Sequence, residues 1–329
     1  MVTHRAWHWF AAVAVLGIVC VMAIANGAIR IPIIDVFRAA LGSGDGSVVA
    51  IVRDLRMPRV ALAALIGAGL GMSGGALQGT LRNGLAEPYL LGVSGGAAVG
   101  AVVAFSIGVS DAAWIALAAF AGAALAVVLA LLVARAAGGG GRGDPRTLLM
   151  AGVVIGAFAN AIIMVALANA APNTIRGALW WMMGSAADAT WQTVGVLALS
   201  ILAGGAALTY LARDIDVLAL GEEPAAALGV EVDKAARTIY LLSALLAAAT
   251  VAAAGLIGFV GLIVPHIVRS AGLRRHRPLL VGTAIVGATL VVAADLAART
   301  LRPPAELPLG AVTAILGVPF FLAQLRKTA

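Results

Sequence analysis

Charge is scarce in this chain. Asp, Glu, Lys and Arg make up 11% of its 329 residues, where a soluble domain carries about 25%. Apolar residues make up 62%, and mean hydropathy is +1.04. A water-soluble core cannot absorb so much apolar surface, so lipid is the expected solvent. Cysteine is nearly absent too. Cys20 stands alone inside an apolar run, which excludes an intrachain disulfide. Lysine occurs only at Lys234 and Lys327, and Gly-Lys-Ser/Thr occurs nowhere. The phosphate cradle of a P-loop ATPase is therefore missing, and the chain is not expected to hydrolyse ATP. Histidine is sparse and scattered: His4, His8, His266 and His276 stand near the start or in loops. No metal or catalytic cluster is read from them, and His266 in "VPHIVR" reads as a packed side chain. The sequence pI is near 10.7, but the basic residues sit singly between apolar runs. That is how membrane topology signals are placed, and it gives no nucleic-acid patch.

Apolar runs fill the rest. A helix needs about 20 mainly apolar residues to cross ~30 Å of hydrocarbon. Ten such stretches are expected, near 8–28, 59–81, 91–109, 112–136, 147–170, 191–212, 237–255, 258–272, 279–298 and 308–325. The eighth is short and contains Pro265. The first, from Trp9 to Ala25, exceeds the usual ~7–15 residues of a signal-peptide core, so an uncleaved first span is expected. The fold class is thus an all-α polytopic membrane protein of about ten transmembrane helices. With the N-terminus in the cytoplasm, fourteen basic residues fall inside and eight outside, the sign that topology requires. Both termini are then cytoplasmic. Glycines four apart (Gly67, Gly71, Gly75; Gly92, Gly96, Gly100; Gly152, Gly156) put small residues on one helix face, where backbones can approach closely. "GGGGRG" at 138–143 reads as a flexible inner loop.

One stretch departs from this pattern. "RDIDVLALGEEPAAALGVEVDKAAR", residues 213–237, holds six of the fifteen acids: Asp214, Asp216, Glu222, Glu223, Glu231 and Asp233. It reads as two short helices broken at Gly221 and Gly229. Glu222 and Glu223 open one of them, where acids suit the helix dipole and Pro224 is tolerated. The residues alone fit either a solvated loop or a helix that pushes on a soluble partner.

The segment "LALGEEPAAALGV" resembles the part that contacts the ATPase subunit in FecCD-type permeases of bacterial ABC importers for iron–siderophore complexes, haem and cobalamin. Other stretches match that family in order. They are "RMPRVALAALIGAGLGMSGGALQGTLRNGLAEPYLLGVSGGAAVG" (56–100), "WWMMGS" (180–185), "GLIGFVGLIVPHIVR" (255–269) and "AELPLGAVTAILGVPFFLAQLRK" (305–327). The similarity runs from about Ile31 to Lys327. It implies one transmembrane permease domain over 1–329, with a cytoplasmic coupling segment at about 213–237. Coupling would fall to Leu218, Leu220, Gly221, Glu222, Glu223, Ala227, Leu228 and Gly229. A cytoplasmic gate would fall to Asn83 and Leu85 with Pro145 and Arg146. The chain departs from the family pattern at Gly84, where proline is usual, and at Pro145 and Arg146, where some relatives carry small hydroxyl residues.

The outer arginines run against the inside bias. They fit headgroup snorkelling, or in one case an ion pair of Arg299 with Asp295 a turn earlier. The resemblance implies that Arg56, Arg59 and Arg299 dock a soluble binding protein, since arginine grips a carboxylate bidentately. Gly152, Gly156 and Asn160 share a face of the fifth span, with Asn169 continuing it loosely. Either they line the pathway or they pack within the subunit. Trp181, Met182 and Met183 are expected beside the outer end of the path.

The resemblance further implies a second copy of the chain, two ATPase subunits that bind ATP and Mg, and one binding protein. It places the chain in a bacterial inner membrane, moving an iron–siderophore-type chelate inward, with cobalamin or haem as alternatives. No cofactor is expected on the chain itself. An ion-coupled transporter would need acids at membrane depth, and only Asp295 is offered. A membrane enzyme would need a polar cluster, and none is read.

Overall fold

The structure is a computed structural model. It describes the backbone of residues 2–137 and 145–328 and the side chains of 9–137, 147–320 and 322. The glycine run expected as a loop at 138–143 lies outside the described residues.

In chain order the helices are α1 (Val2–Ala25), α2 (Ile33–Ala40), α3 (Gly46–Ala50), α4 (Met57–Thr80), α5 (Val93–Ser106), α6 (Ala112–Ala137), α7 (Pro145–Ala168) and α8 (Pro172–Met183). There follow α9 (Trp191–Tyr210), α10 (Ala212–Leu218), α11 (Glu222–Ala227), α12 (Val232–Ala254), α13 (Val260–Ser270), α14 (His276–Thr300) and α15 (Leu309–Thr328). A π-helical turn (Ile51–Arg56) joins α3 to α4, and a 3-10 turn (Pro88–Leu91) precedes α5. The described residues form no strand.

An apolar helix stands at each of the ten expected places. Among the described residues six are long and apolar enough to span a bilayer; α5, α13 and the portions Trp9–Ala25 of α1 and Leu309–Phe320 of α15 are shorter apolar stretches. Lipid cannot satisfy backbone N–H and C=O groups, so helix is the only open form such runs can take there. Three starts lie well earlier than expected, α1 among them at Val2. Helical backbone before α4 reaches back to Gly46, and α12 begins at Val232 because its first turn is solvated and led by Asp233.

α4 is the central element and is buried over most of its length. It packs on α14, α12, α13 and α9. The row Gly67, Gly71, Gly75 faces α14. A Cβ on Gly67 would overlap the Gly287 carbonyl, a Cβ on Gly287 would overlap the Gly67 carbonyl, and a Cβ on Gly71 would meet the Thr283 carbonyl. The α5–α6 pair is built the same way, with Gly96 and Gly122 each against the other's carbonyl and Gly100 on Ala118. Close backbone approach replaces the hydrophobic effect, which offers nothing between helices in lipid.

Replacing Gly67 by Val drives a branched side chain into the α14 backbone. A loss of about 1–3 kcal/mol or more is expected from overpacking, read as a lower Tm in detergent-solubilised protein. Gly17→Val is the control, because no atom lies within 4 Å of the Cβ it adds, and its Tm should match wild type.

Candidate functional site

The end of the bundle where α1 finishes is termed the upper end, and the other the lower end. At the lower end, α10 packs on α4, α14, α11 and α12, with Ala212, Ile215 and Leu218 buried. Asp216 fixes its position. Its Oδ1 accepts the His276 backbone N–H at 2.9 Å and lies 2.7 Å from the His276 Nδ1, tying α10 to the start of α14. The chain then turns at Gly221, whose φ of 120° only glycine adopts without strain. The helix that follows, α11, opens with Glu222 and Glu223 as expected. Ala225 is buried beneath it, while Glu222, Glu223 and Ala227 are exposed. Leu220 and Leu228, at its two ends, are 65% and 60% exposed. Gly229, with φ 83°, turns the chain toward α12. The coupling residues thus form a short knuckle, apolar at its tips and acidic between them. Leu218 and Gly221 are the exceptions, being buried supports behind it.

The knuckle meets the loop after α4. Arg82 Nη2 lies 3.7 Å from Glu222 Oε1, with both side chains about half exposed. An exposed pair of that kind contributes about 0–1 kcal/mol, so it gives direction more than strength. Asn83 Oδ1 accepts the Leu85 N–H at 2.9 Å, closing a turn that leaves Leu85 exposed. Nothing lies within 4 Å of a Cβ built on Gly84, so the missing proline removes no packing. Of the other expected gate residues, Pro145 and Arg146, the backbone opens α7 and the side chains lie outside the described residues.

Behind this loop is a buried polar centre that sequence reasoning missed. Pro265 inside α13 has no N–H, so the Gly261 carbonyl one turn earlier lacks its helical donor. Gln78, buried on α4, takes that place: its Nε2 donates to Gly261 O at 3.2 Å, Leu262 O at 3.2 Å and Ala86 O at 3.3 Å. Its Oε1 accepts from Arg269 at the end of α13. One amide therefore holds the broken helix, the loop after α4 and the lower end of α13 together. The signal was available as a lone glutamine in an apolar helix and a proline in a short one.

The joint between α12 and α13 is unwound over residues 255–259. Gly255 (φ 72°) and Phe259 (φ 68°) are both left-handed. Two side chains from the loop before α5 hold it. Glu87 Oε1 accepts the Phe259 N–H at 2.8 Å. Tyr89 Oη accepts the Ile257 N–H and donates to the Ile257 carbonyl, each at 3.0 Å. Burial pushes the Glu87 carboxyl above its ordinary range, opposed by the Phe259 bond. Above the joint opens a cavity of about 420 Å³, lined by Tyr89, Ser94, Met182, Met183, Leu256, Gly258, Phe259, Pro308, Gly310, Ala311 and Ala314. Among the described residues no charged side chain lines it.

The structure separates the expected lining residues. Gly152 is buried, with the Leu90 carbonyl where its Cβ would be, so its face packs within the subunit. Trp181 is half-buried against the core, and its carbonyl backs Gly255. Met182 and Met183 are among the side chains around the cavity. Gly156 has open space and Asn160 is exposed, on a helix that also exposes Val154, Phe158 and Val165. His266 packs edge-on against Phe320.

The upper end also departs from expectation. Arg56 and Arg299 are 7% and 8% exposed. Arg56 donates to the Ile24, Ala25 and Ile29 carbonyls, and Arg299 to the Ala23 carbonyl. Cations suit the negative end of a helix, and these two cap α1. Their guanidinium groups are buried on backbone carbonyls. Asp295, 1% exposed, lies 3.3 Å from Arg299 as the spacing anticipated. Its stronger partner is Arg59, bonded bidentately at 2.9–3.1 Å. Arg59 also forks onto Glu306 at 2.8 and 2.9 Å. That bond holds the half-exposed Glu306 carboxyl below its ordinary range. Glu306 went unread because its partner is 247 residues away.

Gln78→Leu should leave two or more buried carbonyls without a donor, at about 1–3 kcal/mol each, read as a Tm loss in detergent. Pro265→Ala returns an N–H to Gly261. The Gln78→Leu loss should therefore be smaller in the Pro265→Ala background, and equal losses in both backgrounds would remove the substitution of one donor for the other.

Comparison with known proteins follows the same lines. The model of the FecCD transport family matches residues 15–327. The cobalamin import system permease protein BtuC of Halobacterium salinarum is 41% identical, covering 84% of this chain and 73% of that one. The hemin transport system permease protein HmuU of Yersinia pestis is 39% identical over 82% and 81%. The Fe(3+)-citrate import system permease protein YfmE of Bacillus subtilis is 34% identical over 96% and 93%. A solved structure of a metal-chelate type ABC transporter in an inward-facing conformation superposes with a TM-score of 0.86 at 28% identity, covering 97% of this chain and 98% of that one. Sequence and fold agree over nearly the whole length, and this chain belongs to the FecCD transport family of ABC-importer permeases.

Proposed function

We propose that this permease moves a large metal chelate from the outside to the cytoplasm as one of two copies in a bacterial inner membrane, driven by two separate ATPase subunits. The carrying observation is the α11 knuckle. It presents exposed leucines and acids at the same end as the loop after α4, and it stands on α10, which packs on α4 and α14. A soluble ATPase that pressed on α11 would load the central helices directly. The basic bias of the loops supports a cytoplasmic lower end and cytoplasmic termini. A binding protein at the upper end would meet Arg59 and Glu306, with Arg56 and Arg299 holding α1 in place beneath them.

The relatives carry cobalamin, haemin and ferric citrate in their names, so resemblance does not separate cargoes. Iron–siderophore complexes, cobalamin and haem are the candidates. The uncharged lining around Met182 and Met183 suits a chelate whose outer surface is largely apolar, since no ion pair would hold it in transit. Uptake of each labelled chelate into vesicles holding the full assembly ranks them. An ion-coupled carrier is the competing class, and it would move cargo with this chain alone under an ion gradient.

Two results test the arrangement. Glu222→Ala with Glu223→Ala should insert normally yet lose uptake at least about tenfold, the effect of ~1.4 kcal/mol of docking energy. Wild-type uptake by that variant would remove the coupling role. Cysteine at Gly156 or Asn160, in a Cys20→Ser background, should react with a water-soluble thiol reagent at a rate that changes with ATP. Silence at both sites in every nucleotide state, while exposed Ser43→Cys reacts, would place α7 off the path.

A further inference from the structure

The segment between α1 and α3 carries a surface that transport by α11, the loop after α4 and the cavity does not use. α2 is eight residues long, and at 3.6 residues per turn its side chains divide into three arcs. Val36 and Ala39 face the protein, buried with Ala25, Ile31 and Val52 in a small core of their own. Asp35 and Arg38 form a second arc, exposed and paired at 3.5 Å. Ile33, Ile34, Phe37 and Leu41 form the third. All four are large and apolar, and their exposure lies between 49% at Ile33 and 86% at Leu41. A helix at a protein–water boundary needs two faces. A third, apolar face beside the charged one is what a helix needs when it also touches a bilayer.

Its level in the molecule is fixed independently. α2 packs on α1, α3 and the π-helical turn. That turn is bonded to a tryptophan: Trp191, half exposed at the start of α9, donates its indole N–H to the Arg53 carbonyl at 2.9 Å. Trp114, in the first turn of α6, is exposed as well. Exposed tryptophans at one end of a helix bundle mark the headgroup level. Exposed Arg30, Arg38 and Arg53 surround the apolar arc, and phosphate is the anion they would meet there. The adjoining α1 exposes Phe10, Val13, Ile18 and Met22, a lipid-type face.

We propose that α2 is an interfacial foot, lying in the plane of the membrane with Ile33, Ile34, Phe37 and Leu41 in the headgroup–acyl boundary of the leaflet at the upper end. The occupant of this face is phospholipid. Arg56 gives the contact a mechanical role, because it bonds the carbonyls of Ile24 and Ala25 on one side of the foot and Ile29 leading into it. The foot thereby sets the depth at which the Arg59–Glu306 pair stands above the bilayer.

Single cysteines at Ile34, Asp35, Phe37, Arg38 and Leu41 in a Cys20→Ser background, nitroxide-labelled in phosphatidylcholine–phosphatidylglycerol nanodiscs, test this. Labels at 34, 37 and 41 should collide several-fold more with oxygen, which concentrates in lipid, than with a water-soluble nickel chelate. Labels at 35 and 38 should show the reverse. High nickel collision at all five sites would overturn the proposal in favour of a water-facing helix. Shielding from both quenchers at 34, 37 and 41 would overturn it in favour of protein cover, by a second copy if the spectra broaden through spin–spin contact. Leu41→Cys, at the most exposed site, keeps the test decisive if labels within the helix disturb folding.

Discussion

A carbonyl released from a helix inside a membrane has no water to turn to. Each break in the helical ladder must bring its own donor, and leaving one unmade costs several kcal/mol. This demand places most of the polar side chains that matter here. Gln78 stands where the Pro265 N–H is missing. Glu87 and Tyr89 hold the unwound 255–259 joint. Arg56 and Arg299 cap the last carbonyls of α1. Buried hydroxyls away from these breaks, Ser73 and Thr250 among them, are satisfied by carbonyls of intact helices.

The spans were legible because their signal is local. Twenty apolar residues make one helix whatever surrounds them, and all ten stand near their expected bounds. The acidic knuckle was legible for the same reason, from Gly221, Pro224 and Gly229. Roles that depend on a distant partner were not. Arg56 and Arg299 look like free outer arginines in the sequence, because the carbonyls they cap are 27–32 and 276 residues away. Gly152 and Gly156 belong to one spacing pattern, yet the Leu90 carbonyl covers the first and nothing covers the second. Spacing establishes that a face exists, and only the neighbouring helix decides what it touches.

Asp295 illustrates how a buried charge can be structural. An acid at membrane depth invites a reading as a proton or ion site. Here it receives Arg59 bidentately, with Arg299 beside it, and Glu306 on Arg59 supplies the second negative charge that balances the two arginines. Both of its oxygens are thus taken up by guanidinium groups within the protein.

The reciprocal contact of Gly67 and Gly287 has a mechanical consequence. Each carbonyl occupies the space over the other glycine, so the α4–α14 pair is keyed like a lock joint. Neither helix can slip along its axis without driving oxygen into Cα. α10 rests on both members of the pair. With the pair keyed in this way, a load on either helix is shared by both and cannot be relieved by sliding one past the other.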